Sequence, residues 1–477
     1  MSLKNKLISS IKWNSIGQIY SQSLVFITSI VLARLLAPSD FGLIGLANTV
    51  TQFFVLFNDL GTSAALIQKK DVSENLLYSV FWLNIILGTL LSISLFFTAN
   101  FFSSLYLEPR LIPVIRVLSV SFILGGLSVI HQTVLIKEID FAILNRVTII
   151  SSTMGAITGI IMAISGWGVW SLVLQSLISQ ITRLILLWTQ INWRPKLIFK
   201  WHQIQSISHY SFHLFGYKFI DYFHLNADYI LIGRFLGSQA LGYYYLAYRL
   251  ISFIAMNVSS IISSTLFPTF SKIQDDEKKL RDYYLKVVKF IAFFTAPLMA
   301  GFMFLSKPVV LTVFGEKWLP VALLITILSP VGFSKTIATT LGSIYQSKGR
   351  TDLMFYWGTI INLIVVLFLV IGLRWGIIGV ATAYALTLPL AYPSYRIAFQ
   401  LIHLPMRNFL KTLSTPILCS LGMVSIMFAV QSLLPTELEP RSLLGILILV
   451  GIVAYFGINF FLNRQQLSQV IRLLRGI

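Results

Sequence analysis

Charge is scarce in this chain. Only 11% of its 477 residues are Asp, Glu, Lys or Arg, whereas 56% are hydrophobic and the mean hydropathy is +0.81. A soluble chain of this length would need far more polar surface around its core. Cysteine is almost absent: Cys419 stands alone inside an apolar run, so no disulfide within the chain and no cysteine metal site can form. Catalytic signatures are missing as well. There is no Walker A loop, no HExxH, no glycine-rich dinucleotide fingerprint and no Cys/His metal spacing. Enzymatic activity and a cofactor are therefore not expected. Without an ATP site, any transport would run on an ion gradient or down a substrate gradient. Long polar connections are lacking too, which argues against a sizeable soluble domain.

What is present is a succession of apolar runs, each long enough for a helix to cross a bilayer. The pattern predicts an all-α polytopic membrane protein with fourteen spans, from Lys12–Leu36 to Leu443–Leu462. The basic start, MSLKNKLISSIKW, leads into the first span without the short core and cleavage site of a signal peptide. The formal net charge of +19 would fit a nucleic-acid partner in a soluble protein. Here its placement accounts for it, and no nucleic-acid partner is expected. With the N-terminus inside, 24 of the 36 Lys and Arg fall in cytoplasmic segments, eight in outer segments and four within spans. That bias predicts a multi-pass protein with both termini cytoplasmic. Asn192–Ser208 and the C-terminal tail, with Leu467, Val470, Ile471 and Leu474 on one helical face, should lie on the inner leaflet.

The chain repeats. Arg34–Ala47 (RLLAPSDFGLIGLA) matches Arg234–Ala247 (RFLGSQALGYYYLA) at an offset of 200, with Gly42 and Gly242 among the identities. Trp167-Gly168 matches Trp375-Gly376, and Pro113-Val114 matches Pro320-Val321, at nearly the same offset. Two pseudo-symmetric six-helix lobes follow, 1–205 and 206–405, with two extra spans and the tail in 406–477. Six is an even number of spans, so the lobes face the same way and enclose a central cavity.

Seven ionisable groups sit within spans: Asp59, Arg183, Lys218, Asp221, Asp228, Arg249 and Lys335. Each costs roughly 3 kcal/mol at mid-bilayer, so each should face a cavity or a partner. Helical spacing groups Asn14, Gln18 and Gln22 on the first span, and Asn48, Gln52 and Asp59 on the second. Lys218, Asp221, His224 and Asp228 line one face of the seventh span, and Arg249 and Asn257 one face of the eighth. The repeat pairs spans one with seven and two with eight, which directs all four faces to one lumen. On this reading Lys218, Arg249 and Lys335 meet an anionic substrate group, and Asn14, Gln18 and Gln52 add polar contacts. Asp59, Asp221, His224 and Asp228 balance charge or carry a coupling ion. The alternative is structural: Lys218–Asp221 is an intrahelical pair, the other polar groups bond between helices, Asp228 is solvated near the outer end, and Arg183 snorkels beside Trp188. Tyr243, Tyr244, Tyr245 and Tyr248 read as an interfacial aromatic belt, with stacking on sugar rings as the sharper alternative.

Several stretches resemble a known family. KNKLISSIKWNSIGQI, ARLLAPSDFGLIGLA, NDLGTSAALIQ around Asp59, ADYILIGRFLGSQALGYYYLAYRL and the segment from Pro268 to Lys289 are similar to those of polysaccharide flippases. These form the polysaccharide-transporter branch of the multidrug/oligosaccharidyl-lipid/polysaccharide exporter superfamily. The resemblance implies two lobes in a V, with spans one, two, seven and eight lining the cavity. It implies a bacterial inner-membrane location and alternating access. It also implies a cargo, an undecaprenyl-pyrophosphate-linked oligosaccharide (an O-antigen, capsule or exopolysaccharide repeat unit) moved to the outer leaflet. Cavity cations of the family carry over onto Lys218 and Arg249; coupling to a proton or sodium ion would involve Asp59, Asp221 or Asp228. Membrane lipids, a glycan polymerase and glycosyltransferases are the implied partners. Two other functions fit the composition. A multidrug-type cation antiporter predicts an acidic lumen, against an in-span inventory of four basic and three acidic groups. A non-transporting scaffold of a glycan-synthesis complex predicts that Lys218 and Arg249 tolerate neutral replacement.

Overall fold

The computed structural model describes residues 3–59, 62–69, 72–138, 140–273, 276–435 and 438–462. Within helices, the side chains of Asn14, Asp59, Lys218, Asp221, His224 and Asn257 lie outside the described residues, as does the whole tail after residue 462. All regular structure among the described residues is helical. The chain divides into two compact units, 1–242 and 243–477.

The first unit holds α1 (Leu3–Leu35), α2 (Pro38–Asp59), α3 (Thr62–Gln68), α4 (Glu74–Tyr106), α5 (Leu111–Leu118), α6 (Val120–Lys137), α7 (Phe141–Ile164) and α8 (Trp170–Gln190), and the first part of α9 (Trp201–Lys272). α7 packs on both α1 and α8, and α4 on α6. Starts are set by capping: Ser73 accepts from the Leu76 amide before α4, and Asp140 from the Ile143 amide before α7. α9 is 72 residues long and breaks at Gly237, where φ is 83° and ψ 176°. That backbone excludes almost any side chain, so the glycine marks the boundary between the expected seventh and eighth spans. The first copy of the repeat breaks at the corresponding place, between Leu35 and Pro38.

The repeated glycines then meet. A β-carbon on Gly42 would overlap the carbonyl oxygen of Ser238, and one on Gly242 would overlap that of Pro38. The contact is reciprocal at the repeat offset of 200. Beside it, Ser238 Oγ donates to Glu108 Oε2 at 2.7 Å, and Arg110 Nε donates to Glu108 Oε1 at 2.9 Å. These bonds tie the α4–α5 connection to the residue after the Gly237 break.

The second unit continues α9 and adds α10 (Glu277–Phe304), α11 (Ser306–Val309), α12 (Leu319–Ser347), α13 (Thr351–Gly372), α14 (Gly376–Leu386), α15 (Tyr392–Gln400), α16 (Met406–Leu433) and α17 (Pro440–Leu462). One core joins α9, α10, α12 and α15 through Phe270, Tyr284, Ile344 and Phe399. A second seats the last two helices on α10 through Phe293, Cys419, Met423, Met427 and Leu447. Tyr455 Oη fastens it by donating to the Phe293 carbonyl at 2.7 Å.

Ten stretches among the described residues are long and apolar enough to cross a membrane. Thr351–Gln400, one of them, covers two of the expected spans, and α9 covers another two. Many large apolar side chains also lie outward, as a lipid-facing surface requires: Phe97 is 74% exposed, Leu363 66% and Phe461 84%. Small polar residues such as Thr295 and Asn459 are fully buried between helices. Buried hydroxyls answer to their own helix: Thr295 donates to Ile291 O at 2.8 Å, Thr336 to Gly332 O at 2.8 Å and Ser420 to Pro416 O at 2.7 Å. Nothing else in hydrocarbon would satisfy them.

Candidate functional site

Lys335 lies in the middle of α12, five residues after Pro330. An apolar helix would normally reject it. Its ammonium sits 4.8 Å from the ring centre of Tyr248 on α9 and 5.0 Å from that of Tyr384 on α14, and it donates a hydrogen bond to Tyr248 Oη. Tyr244, one helical turn before Tyr248, stacks on it with centroids 5.9 Å apart and an 18° interplanar angle. Desolvated cation–π contacts contribute about 2 kcal/mol each, on the order of the roughly 3 kcal/mol cost of the buried charge. The rings stabilise the cation without neutralising it. Arg249 follows Tyr248 in the chain and is half-buried, its guanidinium 6.0 Å from the Tyr245 ring centre. Neither Lys335 nor Arg249 pairs with a carboxylate among the described residues; the ion pairs Glu108–Arg110, Asp276–Lys279, Arg350–Asp352 and Glu277–His403 lie elsewhere. Among the described residues, Lys335 and Arg249 of the second unit thus have aromatic company and no carboxylate partner.

In the first unit, the segment carrying the predicted stripe is fixed by its aromatic face. Phe219, Tyr222 and Phe223 surround Phe53 of α2 at 6.0, 5.4 and 6.1 Å. Tyr222 Oη donates to the Thr49 carbonyl at 2.8 Å. Asp228 is 5% exposed and accepts from the Tyr229 amide at 2.9 Å. It is not a solvated carboxylate at a span end. The side chains of Gln18 and Gln52 are exposed. Those of Asn14, Asp59, Lys218, Asp221 and His224 are not described.

The tyrosine run differs from the expected belt. Tyr244 is fully buried, and Tyr248 turns to Lys335. Position near a span end favoured the interface in the sequence, but long-range pairing with α12 overrides it. Tyr384 carries no sequence signal at all, since nothing in AYALTLPLAYPSY marks it off from an ordinary apolar span. Arg183 is half-buried with its Nε buried and unpaired among the described residues.

A second feature is an apolar cavity of about 420 Å³ between α9, α10, α16 and α17, lined by Ile254, Pro297, Phe302, Met427, Ile452 and Phe456 among others. Its walls offer almost no polar atom.

Among the described residues the chain is all-helical and multi-span, with Lys335 and Arg249 held inside apolar helices without a carboxylate partner. The fold superposes on the lipid II flippase MurJ in an inward closed conformation with a TM-score of 0.78, covering 96% of this chain and all of that one at 18% identity. An inward-facing multidrug resistance transporter of the MATE family gives 0.66, covering 85% and 99% at 15% identity. Residues 31–323 match the family described as polysaccharide biosynthesis protein, and the chain belongs to it. Similar relatives include the teichuronic acid biosynthesis protein TuaB of Bacillus subtilis (strain 168), 27% identical over 478 residues and 99% of both chains. The lipopolysaccharide biosynthesis protein WzxC of Escherichia coli (strain K12) is 28% identical over 393 residues, 81% of this chain and 79% of that one.

Proposed function

We propose that the protein is a flippase that carries a lipid-linked oligosaccharide from the inner to the outer leaflet of a bacterial cytoplasmic membrane. The observation that carries the reading is the Lys335–Tyr248–Tyr384 cluster, with Arg249 following Tyr248 in the chain: positive charge kept within apolar helices and left without a carboxylate among the described residues. An anionic group such as a pyrophosphate or an acidic sugar is the complement of that arrangement. A saccharide head group cannot cross hydrocarbon unaided, which is why such a path is needed. Relatives named for teichuronic acid and lipopolysaccharide biosynthesis support a glycan cargo. The apolar cavity at α16 and α17 would accept part of the prenyl chain of an undecaprenyl carrier. Two six-helix lobes, 1–205 and 206–405, would alternate access to the site, with both termini in the cytoplasm. Asp59, Asp221 or Asp228 would carry a coupling proton or sodium ion, and a glycan polymerase and glycosyltransferases would act on either side of the step. A multidrug-type antiporter for cations is disfavoured by the same unpaired lysine and arginine.

Reconstitution into vesicles with a short-chain lipid-linked oligosaccharide tests the reading. Movement of the head group to the opposite leaflet supports it. Correctly inserted protein that moves no head group, with or without a proton or sodium gradient, counts against it.

A further inference from the structure

At one end of the second unit, α15 gives way to α16 through Leu401–Pro405, and a cavity of about 690 Å³ opens there. Tyr392, Arg396, Gln400 and His403 supply its polar atoms, and Phe399 and Met406 are among its apolar ones. Among the described residues, no carboxylate lines it. Arg396 has no hydrogen bond or ion pair among the described residues, and neither have Arg407 and Lys411, one turn apart at the start of α16. The wall is fixed in place. His403 adopts a left-handed backbone, φ 50°, that costs a non-glycine residue energy. Two contacts from α10 hold it: Glu277 Oε2 lies 2.7 Å from His403 Nδ1, and Arg281 Nη1 donates to the His403 carbonyl at 3.1 Å. Glu277 is thereby engaged.

The depth of the cavity is set by its own residues. Arg396 and Gln400 close one candidate span, Thr351–Gln400, and Met406 opens the next, Met406–Leu433. A cavity between the end of one span and the start of the next lies at the level of lipid head groups. We infer that it binds the anionic phosphodiester head group of a membrane phospholipid, with the phosphate on Arg396, the glycerol hydroxyls toward Gln400 and Tyr392, and the acyl stem over Met406. The site is distinct from the Lys335 cluster and does not depend on the transport reading. Basic pockets between helix ends are a recurrent receptor for such head groups.

Native mass spectrometry of the full-length protein tests this, with phosphatidylglycerol, phosphatidylcholine and inorganic phosphate as probes. Phosphatidylglycerol should be retained in preference to phosphatidylcholine. Arg396→Gln should lower its retention about fivefold, the contribution of one cation at a membrane surface, while Arg396→Lys and the control Arg441→Gln, exposed in the first turn of α17, retain most of it. Equal retention of the two lipids by the unmodified protein, or unchanged retention in a folded Arg396→Gln variant, overturns the inference. So does displacement of phosphatidylglycerol by millimolar inorganic phosphate, which would make this a free-anion site. The lipid preference of the unmodified protein decides the matter even if a variant fails to fold.

Discussion

Gly42 and Gly242 occupy the same position in the two copies of the repeat, and each admits the backbone of the other copy: Gly42 the carbonyl of Ser238, Gly242 the carbonyl of Pro38. A β-carbon on Gly42 would also lie 3.0 Å from the Gly242 nitrogen. Exchange of equivalent contacts is what a two-fold relation between homologous segments produces. Here the neighbours are backbone atoms, which cannot move aside as a flexible side chain can.

Gly42→Ala and Gly242→Ala should therefore each destabilise the protein by about 1–3 kcal/mol or more, through overpacking. Gly445 in α17 is the control, because a β-carbon there meets nothing within 4 Å. Gly445→Ala should stabilise by up to about 1 kcal/mol through helix propensity. Melting temperatures in detergent check the contrast; equal effects at the three sites would refute the close approach.

The Glu108 latch gives a pH dependence. Hydrogen bonds from Arg110, and secondarily from Ser238, hold the Glu108 carboxyl below its usual range. A carboxylate depressed in the folded state contributes stability above its unfolded value, near 4.3, and loses it as the pH falls through the folded value. Glu108→Gln should thus cost about 1 kcal/mol at pH 7, and the difference from the unmodified protein should close as the pH drops below about 4. A melting-temperature gap that stays constant from pH 7 to pH 3 would contradict the ionic latch.

Cys419 reports on the packing of the last two helices. It is fully buried in the cluster that seats α16 and α17 on α10. A maleimide should label the protein in detergent only after denaturation. Met423→Ala, at a position 4% exposed in the same cluster, should cost about 2–5 kcal/mol and make Cys419 reactive under milder conditions. Rapid labelling of the native protein would show the helices loosely attached.

Orientation follows from the bias in Lys and Arg. Alkaline phosphatase fused after Lys200 should be inactive, and fused after Leu236 active. The reverse result would invert the membrane sidedness.

The membrane class and the approximate extent of most spans were legible because hydropathy is a local signal. The Gly42/Gly242 relation was half legible: the repeat named the two residues, but only the fold brings them together. The Lys335 cluster was not. Tyr248 and Lys335 are 87 residues apart, and no periodicity links residues on different helices. Tyr384 looks like any aromatic residue in an apolar span. Asp228 sits near a span end in the sequence, yet Asp228 and Tyr222 belong to a segment pressed against α2, which buries the carboxylate. Glu108 and Ser238, 130 residues apart, form their bond only because the Gly237 break turns the chain at that point.

On the proposed reading, Lys335 and Arg249 serve an anionic cargo rather than the fold. The double variant Lys335→Met/Arg249→Gln separates the two. Removing a charge that costs roughly 3 kcal/mol within the bilayer should leave the melting temperature unchanged or raise it. Transfer of a lipid-linked oligosaccharide in reconstituted vesicles should nevertheless fall by about 10- to 100-fold, the value of charge-assisted hydrogen bonds to the anion. Full transfer by the double variant, or a collapse of its melting temperature together with transfer, would contradict the claim.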